Sequence, residues 1–178
     1  MQVIVTSALP CEKLTKAMAS LVGLRLCMVC NTGNMKQFHF GEPWQYRDRP
    51  VGQVVLHVQC PWRLERDVRT ITGSADYYVP ADDNTDSDWE AGEPTGHLQD
   101  QLLRDVLGLE PGVAQRDGVE TSLIVLDAVS SVIGEAAVTM SYGYRLLLFP
   151  ASSRLEEWRL LKPGDLDSQT EFLSGSGV

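Results

Sequence analysis

The chain has 178 residues, of which 43% are hydrophobic and 22% charged, and it carries a formal net charge of −9 with a pI near 4.7. A length of this order suits one ordinary domain, which buries about 70% of the surface its unfolded chain exposes, so a core forms without disulfides or a structural metal. The acidic balance disfavours nucleic acid and anionic lipid as partners, and the apolar runs fall far short of a membrane span.

The N-terminal segment MQVIVTSALPCEKL has no basic region and only a short apolar block, which argues against a signal peptide and for a cytoplasmic protein. Four cysteines, Cys11, Cys27, Cys30 and Cys60, fit a reducing compartment. Gln2–Thr6 reads as a short strand. Ser7 and Pro10 then offer a helix cap and a first-turn proline, and Leu14, Ala17, Met18 and Leu21 repeat at helical spacing, predicting a helix over about 11–22 that Gly23 ends. Two strand-like runs, Leu24–Cys30 and Lys36–Phe40, flank Asn31-Thr32-Gly33-Asn34 and predict a hairpin. In its second arm Phe38 and Phe40 share one face, and Gln37 and His39 the other. Gly41–Pro50, with two prolines, reads as a loop.

The longest regular pattern follows. In Gly52–Leu64, Val54, Leu56, Val58, Cys60, Trp62 and Leu64 alternate with Val55, His57, Gln59, Pro61 and Arg63, as expected of a half-buried central strand. Pro61 cannot donate a ladder hydrogen bond, so it predicts a bulge or an edge at that point. After a turn at Glu65–Val68, Thr70–Val79 returns as a strand broken at Gly73. Pro80–Gly96 is an acidic segment around Trp89. Thr95 is placed to cap a helix over about 97–107, with Leu98, Leu102, Leu103 and Val106 as its apolar face. Strands at Val119–Leu126, Glu135–Ser141, Tyr144–Phe149 and Glu157–Leu161 complete an α+β domain of mainly antiparallel, hairpin-connected strands with two helices. Residues 1–164 make one domain in this reading, and 165–178 a frayed tail.

Four groups of residues invite a functional reading. Cys27 and Cys30 have CxxC spacing, but on a strand they point to opposite faces, so buried structural cysteines are expected rather than a redox or metal pair. The same parity argument opposes a zinc site built from His57, Cys60 and His39. In the acidic segment Asp82, Asn84, Asp86, Asp88, Glu90 and Glu93 fall at the ligand spacing of a calcium loop; Ser87 replaces the turn glycine and no helix enters, so no metal is assigned. His39, His57, Gln59 and Arg63 share one sheet face if registers match, with Arg63 able to hold an anion and His57 to titrate near neutral pH. An ordinary solvated sheet face carries the same alternation and is the commoner case. There is no nucleophile elbow, glycine-rich phosphate loop or paired-histidine zinc motif, so no catalytic residues and no cofactor are expected.

Two stretches carry a resemblance. LHVQCPWRLERDVRTITGSADYY, with Asp88-Trp89-Glu90 beyond it, resembles an uncharacterised family of small bacterial proteins. GYRLLLFPASSRLEEWRLL, anchored by Trp158, is similar to the closing hairpin of that family and of bacterial immunity-like domains. The resemblance implies a bacterial source and a compact α+β domain, and supplies no catalytic residues. The functional expectation is a non-enzymatic, immunity-like protein that masks a basic protein partner, with Asp86, Asp88 and Trp89 as contact loop. The alternative is a small-molecule binder, or an enzyme of unrecognised type, using the His57/Gln59/Arg63 face. A homo-oligomer is compatible with both.

Overall fold

The alternating stretch at 52–64 forms two strands in two sheets. In the computed structural model, which describes residues 2–3, 11–33, 35–81, 96–109, 112–114, 123–131, 133–151 and 157–163, β1 is Gln2–Val3, α1 Cys11–Ala19, β2 Leu26–Thr32, β3 Met35–Phe40, β4 Trp44–Tyr46, β5 Arg49–Val51, β6 Val54–Val58, β7 Trp62–Arg66 and β8 Arg69–Gly73. A 3-10 turn at Ser74–Tyr78 follows, then α2 Leu98–Leu107, β9 Val125–Ser130, β10 Ala136–Met140, a 3-10 turn at Ser141–Gly143, β11 Tyr144–Leu148 and β12 Trp158–Lys162. One five-stranded sheet has the order β1-β12-β6-β3-β2, the other β8-β7-β11-β10-β9, and β4 pairs with β5 apart from both. Every pairing is antiparallel. The α+β class with mainly antiparallel sheets and two helices is therefore the observed one.

The chain passes between sheets at Gln59–Pro61, from β6 in the first to β7 in the second. β6 lies against β12 and β7 against β11, so the crossing chain pairs with a different strand in each sheet. The carbonyl of Glu157 accepts from the backbone N–H of Gln59 at 2.7 Å and of Cys60 at 3.0 Å, and that of Pro61 accepts from Phe149 at 2.9 Å. Proline thus sits where the ladder is interrupted, as its missing donor requires. One edge of each sheet also meets the other: Arg25 and Ile124 form an antiparallel bridge, reinforced by the backbone bonds Gly23 to Val125 and Val125 to Leu24. The start of β2 is thereby joined to the start of β9.

The inward set is the one the alternation predicts. Val54, Leu56, Val58, Cys60, Trp62 and Leu64 are all buried in one core cluster with Phe38, Phe40, Val138, Leu146, Leu148, Trp158 and Leu160. Across the bend the alternation keeps its phase although the sheet changes. From α1, Ala17 and Met18, and from the turn after it Leu21, enter this cluster, and α1 packs against β9. Gly23, at φ +84°, ends that turn in the left-handed region that disfavours a side chain.

The β4–β5 hairpin and α2 differ from expectation. The segment read as a loop at 41–50 contains the β4–β5 hairpin, whose turn uses Arg47 at φ +54° instead of glycine or asparagine, so its turn signal was absent from the sequence. Helix α2 presents Gln99, Asp100, Leu103 and Leu107 inward rather than the Leu98/Leu102/Val106 side, and Val106 is 37% exposed. Its N-cap is His97; Thr95, the expected cap, lies outside the described residues. The helix is rotated from its most apolar stripe because two polar side chains on the inward face find partners in the sheets.

Candidate functional site

The bend that moves the chain between sheets leaves a cleft on one side. Val58 to Trp62 form one wall, and the 3-10 turn, through Ser74, Ala75, Tyr77 and Tyr78, forms the opposite wall. Asn31 and Lys36 from the β2–β3 hairpin and Gln99 from α2 line it further. Its volume is about 370 Å³, within the range of small-molecule sites. The turn is fixed by Asp76, whose carboxylate accepts from Thr72 Oγ1 at 2.8 Å and from the backbone N–H of Gly73 at 2.9 Å. Ser74 Oγ accepts the N–H of Trp62 at 3.3 Å, which ties the walls together. The Tyr77 ring stacks on His97 with centroids 4.1 Å apart, and its hydroxyl donates to Gly33 O at 3.3 Å.

Beneath the cleft lies a buried ion pair. Lys36 Nζ is 3.0 Å from Asp100 Oδ1, and the two side chains are 3% and 6% exposed. Asn31 Nδ2 also donates to Asp100 Oδ2 at 3.3 Å. Burial pulls the Lys36 pKa below the ordinary lysine value, and the facing carboxylate of Asp100 opposes that shift. Beside them, Gln99 is 1% exposed and its Nε2 donates to Gly73 O at 2.8 Å.

The residues expected to form a ligand face are divided. His39 and His57 do lie on one face of the first sheet. Gln37 stands opposite His57, and His39 opposite Val55. His39 Nδ1 accepts the N–H of Gly52 at 3.2 Å, while its Nε2 lies 3.4 Å from both Cys30 Sγ and Gln37 Oε1. This is an internally satisfied cluster. Gln59 is exposed at the bend and lines the cleft. Arg63 belongs to the second sheet, where its Nε is 2.6 Å from Glu65 Oε1 and its guanidinium lies 5.0 Å above the Phe149 ring. Cys60 faces the core and His57 the outer face, as their parity requires. Burial raises the Cys27 and Cys30 thiols to about 11 and Cys60 to about 12. Among the described residues no group of three or more His, Cys, Asp or Glu is placed to hold a metal ion. The calcium-like spacing and the contact loop of Asp86, Asp88 and Trp89 lie outside the described residues. Among the described residues no helix is long and apolar enough to cross a membrane.

Sequence reasoning missed the Lys36–Asp100 pair and Gln99, although a signal existed. Lys36 is in phase with the core residues Phe38 and Phe40, and Asp100 is three and seven residues before Leu103 and Leu107. Opposite charges on two otherwise buried faces point to a shared partner.

The histidine cluster makes a pH prediction. Burial, then the charge of His57, lowers His39 to about 4; burial, then Arg159, lowers His57 to about 4. Between pH 6.5 and 4 the unfolded chain binds protons that the folded chain does not, so stability falls as pH falls through that window. For His39 the ceiling is about 3 kcal/mol. Protonation at Nδ1 would also turn the acceptor of the Gly52 N–H into a donor. Urea unfolding of His39→Gln is expected to show a shallower loss of stability from pH 6.5 to 4 than the parent. Parallel pH profiles would remove His39 as a source of the acid sensitivity.

The described residues form two antiparallel five-stranded sheets with a lateral cleft of mixed polarity. Comparison with family models, curated proteins and solved structures finds no match.

Proposed function

We propose that this chain is a non-enzymatic binding protein whose cleft at the β6–β7 bend holds a small organic ligand. The observation that carries this reading is the composition of the cleft: aromatic and aliphatic walls from Trp62, Tyr77, Tyr78, Val58 and Pro61, with the polar groups of Gln59, Asn31 and Gln99 among them. The ammonium of Lys36 is held by Asp100, which suits a structural role for that group better than service as a base or nucleophile. In this reading His39 and His57 serve the sheet, and the ligand site lies on the other side of the Gln59 bend. A fragment titration followed by amide chemical shifts tests it. Shifts are expected at residues 58–62, 74–78 and 99, and are expected to vanish in Ala75→Trp, which puts an indole across the mouth. Shifts scattered elsewhere, or unchanged by that substitution, would move the ligand site away from the cleft.

A second reading keeps the partner expected from the sequence. The net charge of −9 favours a basic protein, and the two motif stretches resemble an uncharacterised bacterial family and immunity-like domains. In that reading the acidic segment with Asp86, Asp88 and Trp89 makes the contact.

A further inference from the structure

We propose that the cleft selects an uncharged planar ligand that donates an amide-type N–H to Gln99 Oε1. The inference rests on the reading of the cleft as a ligand site. Gln99 Oε1 is buried and has no hydrogen-bond partner among the described residues, and Gln99, 1% exposed, is one of the residues that line the cleft. The orientation of its carboxamide is set: Gly73 O can only accept, so the atom that bonds it at 2.8 Å is Nε2, and the atom left over is an acceptor. Buried acceptors are nearly always satisfied, because leaving one empty forfeits its hydration with nothing in return. A ligand N–H entering the cleft supplies the missing bond.

The lining also sets the charge of the ligand. Lys36 and Asp100 neutralise each other 3.0 Å apart, and Asn31 is committed to the same carboxylate. An anionic ligand would have to displace Asp100 from Lys36. A cationic one would meet the lysine ammonium, with no carboxylate among the lining residues to answer it. A neutral group meets neither cost. Flat walls favour a flat ligand: Tyr77 is held in place by its stack on His97, and Trp62 by its edge contact with Phe38 at 5.2 Å. A lactam-bearing heterocycle and a carboxamide on a peptide share this chemistry.

Benzamide and acetophenone differ only by an amino group in place of a methyl, so they isolate the donor. In an NMR titration of the full chain, benzamide is expected to bind about tenfold more tightly than acetophenone. In Gln99→Met, which lacks the acceptor, the two affinities should converge while acetophenone binding persists. Uracil and N-acetyl-phenylalaninamide supply the two sources, and whichever binds more tightly identifies the source of the N–H. Equal affinity of benzamide and acetophenone for the parent chain would overturn the donor assignment and leave the cleft as a ligand site. No shift at Tyr77 or Gln99 with any of the four probes would overturn both readings together.

Discussion

Replacing Asp100 by alanine is expected to cost about 3–5 kcal/mol of stability, the range for a buried ion pair broken on one side. The magnitude follows from what remains. Lys36 is buried, and its ammonium has Asp100 Oδ1 at 3.0 Å; without that oxygen its charge stays in the interior unopposed. Asn31 loses the same acceptor. Burial already pulls the lysine pKa below its ordinary value of 10.5, and Asp100 is the largest influence holding it up. In Asp100→Ala that support is gone, so the folded chain pays for the ammonium at neutral pH or sheds its proton. The unfolded chain then binds more protons than the folded one over a wider range, and stability must rise with pH. Urea unfolding should therefore show the deficit relative to the parent narrowing as pH rises toward 10.5. Replacing both partners, Lys36→Met with Asp100→Leu, should recover most of the loss, because the desolvation of two charges disappears with their attraction. A single variant within about 1 kcal/mol of the parent, or a double variant no better than the single, would show that the pair does not hold α2 against the sheets.

The same pair shows where sequence reading stops. Alternation from Val54 to Leu64 identified every inward residue, because packing on a pleated layer depends only on parity. It carried no information on the change of sheet. The strand keeps its phase through Gln59, Cys60 and Pro61, and only the proline marks the place. Composition of the β4–β5 hairpin was equally silent, since Arg47 occupies a backbone conformation that glycine or asparagine normally signals. In α2 hydrophobicity alone points to the Leu98/Leu102/Val106 side, whereas Gln99 and Asp100 are buried. The true face is decided by tertiary hydrogen bonds, to Lys36 in β3 and Gly73 in β8, at separations no local pattern spans. His39 and His57 do share a face, since Gln37 and His57 are register partners. Arg63 does not, because the strand does not run straight and β7 belongs to the second sheet. The cleft exists because that strand bends.

The bend itself is tested at Trp158, where alanine should cost about 3–5 kcal/mol. Trp158 is 2% exposed and pairs with Val58, the last residue of β6 before the chain crosses. Its preceding carbonyl, on Glu157, accepts from Gln59 and Cys60, so the indole is anchored next to the two hydrogen bonds that shape the crossing. Indole Nε1 also donates to Gly134 O at 2.7 Å, linking the turn between β9 and β10 to the first sheet. Truncation removes the ring from the core and leaves both a cavity and an unsatisfied carbonyl. Phenylalanine restores most of the volume but not the donor, so Trp158→Phe should lose only about 1–2 kcal/mol. Trp44, which is 38% exposed in the β4–β5 hairpin, provides the comparison: Trp44→Ala should fall well below Trp158→Ala. Midpoints of urea unfolding at constant slope measure all three. Equal losses at Trp44 and Trp158 would mean that the indole does not brace the crossing. The walls of the cleft, held apart by that crossing, would then need another support.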